Sequence, residues 1–387
     1  MVSFLNDIGG ETIKKTIPLF LANVLNVPSN IIGFVEGITD ATPPLFQPFV
    51  GYISDRIGKR KPFVLGSQLL RTAMFFLFFA TSWVQVLMVR FLDRSAKGIN
   101  TSPRDALIAA STEGNTVGRS FGLSRALDNA GAVVGLLFAS LITFFLATSQ
   151  ISLTRMSFQY IVLLAIIPQL IAFLLIFLYV RDVPVHHPAK KEEQPIPLGK
   201  NIKFVGFLIV SLLFTLGNSS DAFMILRAQG LGMSIPAIFL LFALMSLIAS
   251  VINIPAGAAS DRLGRKKLLT FGWLVYGFTY IGFAKATSMW WVVPLFLTNG
   301  VYYGLTEGAA KALISDVVIS KWRGTAFGIY NVITGLTLFP ASVIAGLLWQ
   351  TYSPSVAFLF GAVLSLVAVI GLHLVLPNVA ISSNSSL

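Results

Sequence analysis

Charged and amide side chains recur inside stretches of this sequence that are otherwise apolar, and they are the groups best suited to bind a solute or carry a proton. The set consists of Asp7, Glu11, Lys14, Glu36, Asp40, Arg71, Arg90, Arg94, Lys97, Arg104, Arg125, Asp128, Asn218, Asp221, Glu307 and Lys311. Helical spacing places Asp7, Glu11 and Lys14 on one face, and the basic residues from Arg90 to Arg104 on another. Carboxylates favour a cation and basic groups an anion, so the set leaves the sign of the solute open.

A carboxyl group that burial keeps protonated near neutral pH can take up and release a proton. The candidates for this role are Glu11, Glu36, Asp40 and Asp128. Ion pairs are also expected, because Asp93 lies within helical reach of Arg90 and Lys97, and Asp128 within reach of Arg125.

The elements that must hold these groups are helices in a membrane. Of the 387 residues, 55% are hydrophobic and 11% are charged, whereas about 25% of a soluble domain is charged. A helix needs about 20 apolar residues to cross a bilayer, so twelve spans with short loops fill the chain. Helices satisfy their backbone polar groups internally, as lipid requires. We therefore predict an all-α membrane protein with twelve transmembrane helices.

The sequence offers few residues suited to covalent catalysis or metal binding. It has no cysteine and three histidines, which excludes disulfides, thiolate chemistry and zinc bound by cysteine. The sequence shows no phosphate-binding loop, nucleophile triad or metal-ligand spacing. We expect no enzymatic activity, no cofactor and no metal site.

The net charge of +12 is concentrated in the loops on one side of the membrane. With the predicted spans, those loops hold 16 basic residues and the loops on the other side hold three. Basic loops stay in the cytoplasm, so we predict a multi-pass protein of the cell membrane (inner or plasma) with both termini cytoplasmic. The charge is explained by topology, and we expect no nucleic-acid partner.

The chain repeats itself at an offset of 206 residues. Gly51, Asp55 and Arg56 align with Gly257, Asp261 and Arg262 without a gap, and Gly98 aligns with Gly304. We predict two pseudo-symmetric six-helix halves, residues 1–182 and 204–387, joined by a cytoplasmic linker at 183–203. Halves repeated with the same topology bind their solute between them, near the midplane.

The repeated loop motif resembles that of the major facilitator superfamily. It reads GYISDRIGKRK from Gly51 and GAASDRLGRKK from Gly257. Arg94 to Gly98 resembles a second family motif. Gly122, Gly131 and Gly135 resemble the glycine spacing of the family's antiporter motif, with Leu136 in place of its proline.

The resemblance implies a conformational latch in these loops, formed by Gly51, Asp55, Arg56, Gly58, Gly257, Asp261, Arg262 and Gly264. Anchoring of the loops to the cytoplasmic leaflet is the alternative role. Gly131 and Gly135 likewise fit either plain helix packing or a gating surface.

The second half serves as an internal control for the charges of the first. At the 206-residue offset most of them become uncharged, and Asp221, Glu307 and Lys311 are the ionisable residues that remain within the second-half spans. The fold therefore does not require the charges of the first half, and we assign them to solute or proton binding. Internal salt bridges without a transport role are the alternative.

These observations predict a secondary active transporter that moves a small solute by alternating access. We expect coupling to protons, a lean towards export or antiport, a lipid-embedded monomer, and no ATP. One alternative is an uptake or exchange carrier for a small organic anion bound by the basic residues of the fourth span. Another is a membrane receptor or scaffold that does not transport.

Overall fold

The computed structural model describes residues 1–110, 117–146, 151–180, 182, 197–318 and 322–376. In these residues thirteen α-helices form the protein. The first half contains α1 (Val2–Leu19), α2 (Ser29–Ile57), α3 (Lys61–Arg71), α4 (Trp83–Ala110), α5 (Val117–Leu146) and α6 (Arg155–Tyr179). The second half contains α7 (Ile202–Gly217), α8 (Ala222–Gly230), α9 (Ile235–Leu263), α10 (Arg265–Lys285), α11 (Met289–Val317), α12 (Arg323–Thr351) and α13 (Pro354–Val375).

The thirteen helices make twelve spans, because α7 and α8 together form the seventh. The seventh span is interrupted at Asn218, where α7 stops before α8 starts at Ala222. Glycine, asparagine and serine at 217–220 explain the break, since these residues favour turns and caps over helix interiors. Two other spans change pitch: a π-helical turn, Phe20–Val24, extends α1, and a 3-10 segment, Thr72–Phe79, extends α3.

Seven helical stretches in the described residues are long and apolar enough to cross a bilayer by their composition: Lys61–Phe79, Leu123–Leu146, Arg155–Tyr179, Ile202–Gly230, Ile235–Asn253, Arg323–Thr351 and Pro354–Val375. The spans formed by α1, α2, α4, α10 and α11 fall outside this set; α1 and α4 each carry at least four charged residues. Large apolar side chains that are exposed, such as Phe145 and Leu374, form the outer surface, as expected for contact with lipid.

The two halves repeat each other's packing as well as their sequence. A Cβ atom on Gly98 would meet the carbonyl oxygen of Pro43 at 2.7 Å, and one on Gly304 would meet that of Ala249 at 2.9 Å. Gly304 and Ala249 lie 206 residues after Gly98 and Pro43, respectively. The same close approach therefore joins α2 to α4 and α9 to α11. The predicted duplication into two six-helix halves is confirmed, while residues 183–196 lie outside the described residues and the linker boundaries stay a prediction.

The glycines of α5 pack against α1 within the first half. A Cβ atom on Gly131 would overlap the carbonyl oxygen of Phe4, and one on Gly135 would overlap that of Ile8 and the hydroxyl of Thr12. This contact is the small-residue packing that lets membrane helices approach closely. It favours the packing role for these two glycines over the gating role.

Replacing Gly135 with alanine will destabilise the protein, because the added methyl group has no room against α1. Overpacking of this kind costs about 1–3 kcal/mol. The matched control is Gly10→Ala in α1, where a Cβ atom has no neighbour within 4 Å and helix propensity makes the change neutral or stabilising by about 0.5–1 kcal/mol. Thermal unfolding of the purified variants measures both effects. Equal stability of the two variants would contradict the packing described here.

Candidate functional site

A cavity of about 680 Å³ lies between the two halves. The first half contributes residues of α1 and α5 to its wall, and the second half contributes residues of α7, α9, α10, α11 and α12. The volume falls within the range of pockets that bind small organic molecules, about 300–1,000 Å³. Seven of the sixteen residues proposed from the sequence line it: Glu11, Lys14, Arg125, Asn218, Asp221, Glu307 and Lys311.

The end of the bundle where α1 and α12 begin and α2, α9 and α11 finish is called here the basic end. On the cavity wall nearest this end, Glu307 and Lys311 of α11 and Arg125 of α5 are exposed. Deeper in the bundle the wall is more buried: the side chain of Lys15 is 8% exposed and that of Asp221 is 16% exposed. The exposed charges of the cavity wall therefore lie towards the basic end.

The other end of the bundle, which we call the opposite end, is sealed by contacts between the halves. The side-chain amides of Asn23 and Gln229 donate to each other's oxygens at 3.1 and 2.6 Å. The hydroxyl of Ser29 donates to Gln350 at 3.0 Å. Helices α2 and α12 also pack closely, since a Cβ atom on Gly33 would overlap the carbonyl oxygen of Ser342. Access from this end requires these contacts to separate.

The deepest charged contact in the cavity is the ion pair between Lys15 and Asp221. It joins α1 to the break between α7 and α8, so it also joins the two halves. Tyr303 donates its hydroxyl to Asp221 at 3.1 Å, and the ammonium group of Lys15 lies 4.3 Å from the centre of the Phe242 ring. Both charges are therefore fixed by a second contact from the second half.

Lys15 was not among the residues proposed from the sequence. The available signal was the repeat itself, because Lys15 and Asp221 are 206 residues apart and so occupy equivalent positions of the two halves. Asn23 and Gln229 have the same separation. Equivalent positions touch each other where they lie on the axis that relates the halves, and both pairs lie there.

A second ion pair, between Arg125 and Glu307, joins the halves towards the basic end. The expected pairing of Arg125 with Asp128 was wrong. Asp128 instead lies 3.9 Å from Arg104, because Arg125 extends across the cavity to α11.

Behind the cavity, the first half contains a nearly dry cluster of charges: Glu36, Arg71, Arg90, Asp93 and Arg94. All five are at most 4% exposed. Asp93 lies 3.6 Å from Arg90, 3.8 Å from Arg94 and 4.0 Å from Arg71. The expected pair of Asp93 and Arg90 is therefore present, whereas Lys97 lies 3.8 Å from Glu11 instead.

Nine of the residues proposed from the sequence do not line the cavity: Asp7, Glu36, Asp40, Arg71, Arg90, Arg94, Lys97, Arg104 and Asp128. Some of them support the wall from behind. Asp40 lies 3.1 Å from the ammonium group of Lys14, and Lys97 contacts Glu11. The basic residues of α4 lie near carboxylates of the first half, and none of them lines the cavity. The anion carrier that was based on them stays a prediction.

The second half supplies an aromatic wall. The rings of Phe214 and Trp273 stack at 4.6 Å, and Tyr302, Tyr303 and Tyr330 complete this surface. The cavity thus presents charge on one side and aromatic rings with hydroxyl groups on the other. This arrangement suits a solute that has both a polar group and an apolar portion.

The repeated loops have the geometry that their glycines predict. Gly58 ends α2 with φ of 71° and Gly264 lies between α9 and α10 with φ of 94°, values that favour glycine. Arg56 and Arg262 are exposed. The side chains of Asp55 and Asp261 lie outside the described part of the structure, so the latch stays a prediction. Elsewhere in the described residues, no group of three His, Asp or Glu side chains is placed to hold a metal ion.

A model of the Major Facilitator Superfamily matches residues 1–234 and, a second time, residues 206–386. The chain belongs to the Major Facilitator Superfamily. It is 36% identical over 385 residues to an uncharacterized MFS-type transporter of Methanocaldococcus jannaschii, a match that covers 95% of this chain and 91% of the other. A Na⁺, Li⁺, K⁺/H⁺ antiporter of Planococcus maritimus is 25% identical over 130 residues, 32% of this chain and 30% of the antiporter.

Solved structures of superfamily transporters share the fold. The nucleoside transporter NupG superposes with a TM-score of 0.79 at 14% identity, over 97% of both chains. A bacterial homologue of the lysosomal transporter Spinster, solved in an inward-facing and unoccupied conformation, superposes with a TM-score of 0.73 at 15% identity, over 97% of this chain and 93% of that one. At these identities the likeness establishes the twelve-helix fold and not the solute.

The Lys15–Asp221 pair is expected to tolerate an exchange of its two charges. Removing one partner of a buried pair costs about 3–5 kcal/mol because the other charge is left unpaired. Lys15→Asp and Asp221→Lys should each destabilise the protein, and the double variant should recover most of the loss, since the two positions are equivalent in the repeat. Thermal unfolding of the two single variants and the double variant measures the coupling. Additive losses would show that the two charges do not interact.

Proposed function

We propose that this protein is a secondary active transporter that moves a small solute through the cavity by alternating access. The observation that carries the proposal is the cavity itself, which lies between two repeated halves, opens at the basic end and is sealed at the opposite end. Because basic loops remain in the cytoplasm, the basic end faces inward and this conformation is the inward-facing one. Separation of the seal at the opposite end then exposes the same charges to the outside.

Coupling to protons is proposed because carboxyl groups lie on both sides of the interface between the halves. Glu11 and Asp221 line the cavity, and Glu36 lies in the sealed region. Each is held near a basic group, so a proton or a solute that binds changes the balance of charge between the halves. A ligand shifts a conformational equilibrium only through such differences between conformers.

The direction of transport is proposed to be export in exchange for protons. The support is partial similarity to a relative whose name describes a cation/proton antiporter. The protein is proposed to act as a monomer.

The test begins with thermal-shift measurements that compare small organic cations, anions and zwitterions that share one aromatic ring. Binding to the folded state raises the unfolding temperature, and Asp221→Asn should weaken that effect. The stabilising compound, radiolabelled, is then followed in proteoliposomes. We expect an imposed pH gradient to drive its accumulation and an uncoupler to abolish it. Flux that changes neither with the pH gradient nor with the uncoupler would refute proton coupling. The absence of flux would refute transport of that compound.

A further inference from the structure

Glu36 lies in a different part of the protein from Glu11, Asp40 and Asp128, the other three carboxyl groups proposed as proton carriers. It projects from α2 into the interface between the halves, on the sealed side of the cavity, and is 1% exposed. Its Oε2 atom accepts a hydrogen bond from the hydroxyl of Ser220 in the second half, at 3.4 Å. Of the four carboxyl groups, Glu36 is the one whose hydrogen bond reaches the second half within the described residues.

The charge of Glu36 is poorly compensated. The nearest basic atom is Nη2 of Arg90 at 4.0 Å, too far for a direct hydrogen bond, and Oε1 of Glu36 has no hydrogen-bond partner in the described residues. Asp40, by contrast, has the ammonium group of Lys14 at 3.1 Å. Glu11 lies on the open wall beside Lys97, and Asp128 lies beside Arg104.

Ser220 connects Glu36 to the part of the second half that must move. It lies in the break between α7 and α8, its hydroxyl accepts the backbone N–H of Ala222 at 3.3 Å, and its own N–H donates to Ser342 of α12 at 3.2 Å. Ser342 also packs against Gly33 of α2. When the opposite end opens, the contacts of Glu36 with Ser220 and of Gly33 with Ser342 separate, and Glu36 gains access to water from that side.

We propose that Glu36 is the group that exchanges the coupling proton with the opposite side of the membrane, and that its protonation stabilises the sealed conformer. The inference rests on the proposed function and names the residue that performs its proton step. A carboxylate sealed in a dry interface loses its hydration, and protonation removes that cost. In the open conformer water solvates the charge, so ionised Glu36 favours opening.

The charged residues around Glu36 come from three helices of the first half, α1, α2 and α4. Arg90 and Arg94 lie near Glu36 from α4, with Asp93 beside both of them; Lys14 lies near it from α1, and Asp40 lies one turn further along α2. From the second half, the described residues of α8 and α12 that touch this region are uncharged, and the nearest ionisable group is Asp221, which is paired with Lys15. Glu36 is therefore the weakly paired acid at the seal.

The experiment uses protons alone as the ligand, so it does not need the solute. The natural sequence has no cysteine, and Thr81 and Thr287 are exposed, equivalent positions at the opposite end of the two halves. Spin labels on Thr81→Cys and Thr287→Cys report the separation of the halves in nanodiscs by pulsed electron paramagnetic resonance between pH 5 and pH 8. We expect the short-distance population to grow as the pH falls.

Glu36→Gln should hold the short-distance population nearly constant across this pH range, while Glu36→Asp and the control neutralisation Asp316→Asn, at a carboxylate paired with Arg265 at the basic end, should keep the pH response. If wild-type distances do not change with pH, both the proton coupling and the role of Glu36 are overturned. If the wild type responds and Glu36→Gln responds with the same midpoint, the role of Glu36 alone is overturned. A Glu36→Asp variant that loses the response while Glu36→Gln keeps it would also overturn that role.

Discussion

The need to pair every charge that enters the membrane shapes this protein. Away from the ends of the spans, the first half carries eight basic and seven acidic groups, and the second half carries Asp221, Glu307 and Lys311. Asp221 and Glu307 each pair with a base of the first half. Because an unpaired charge in this environment is costly, the electrostatic balance of each half depends on contact with the other. Motion between the halves and changes in charge are thereby linked.

Duplication explains why the two halves share their helix packing although their interior residues differ. Both halves use the same close helix contacts, at Gly98 and at Gly304, but only the first fills its interior with ionic groups. The second half instead lines its side of the cavity with aromatic rings and hydroxyl groups. The axis that relates the halves passes where Lys15 meets Asp221, so equivalent positions of the two halves carry opposite charges.

The fold follows from the sequence more fully than the site does. Composition, loop charge and the 206-residue repeat predict twelve helices in two halves, because each signal depends on lipid and topology rather than on detailed packing. The site depends on which way each helix is rotated. The stripe from Arg90 to Arg104 is visible in the sequence, yet its direction towards carboxylates on other first-half helices rather than towards the cavity is set by the packing of α4. The break at Asn218 was missed because a polar patch alone does not distinguish an interrupted helix from a continuous one.

The proposed transport requires that one charged cavity opens alternately to the two sides of the membrane. A single cysteine at Ser246, which lines the cavity on α9, tests this directly, because the chain has no other thiol. The measurement is labelling by a membrane-impermeant maleimide in right-side-out and in inverted vesicles. We expect the cysteine to react from both sides, with Asn23 and Gln229 separated in one conformer and joined in the other. Reaction from one side only, under every condition, would contradict it.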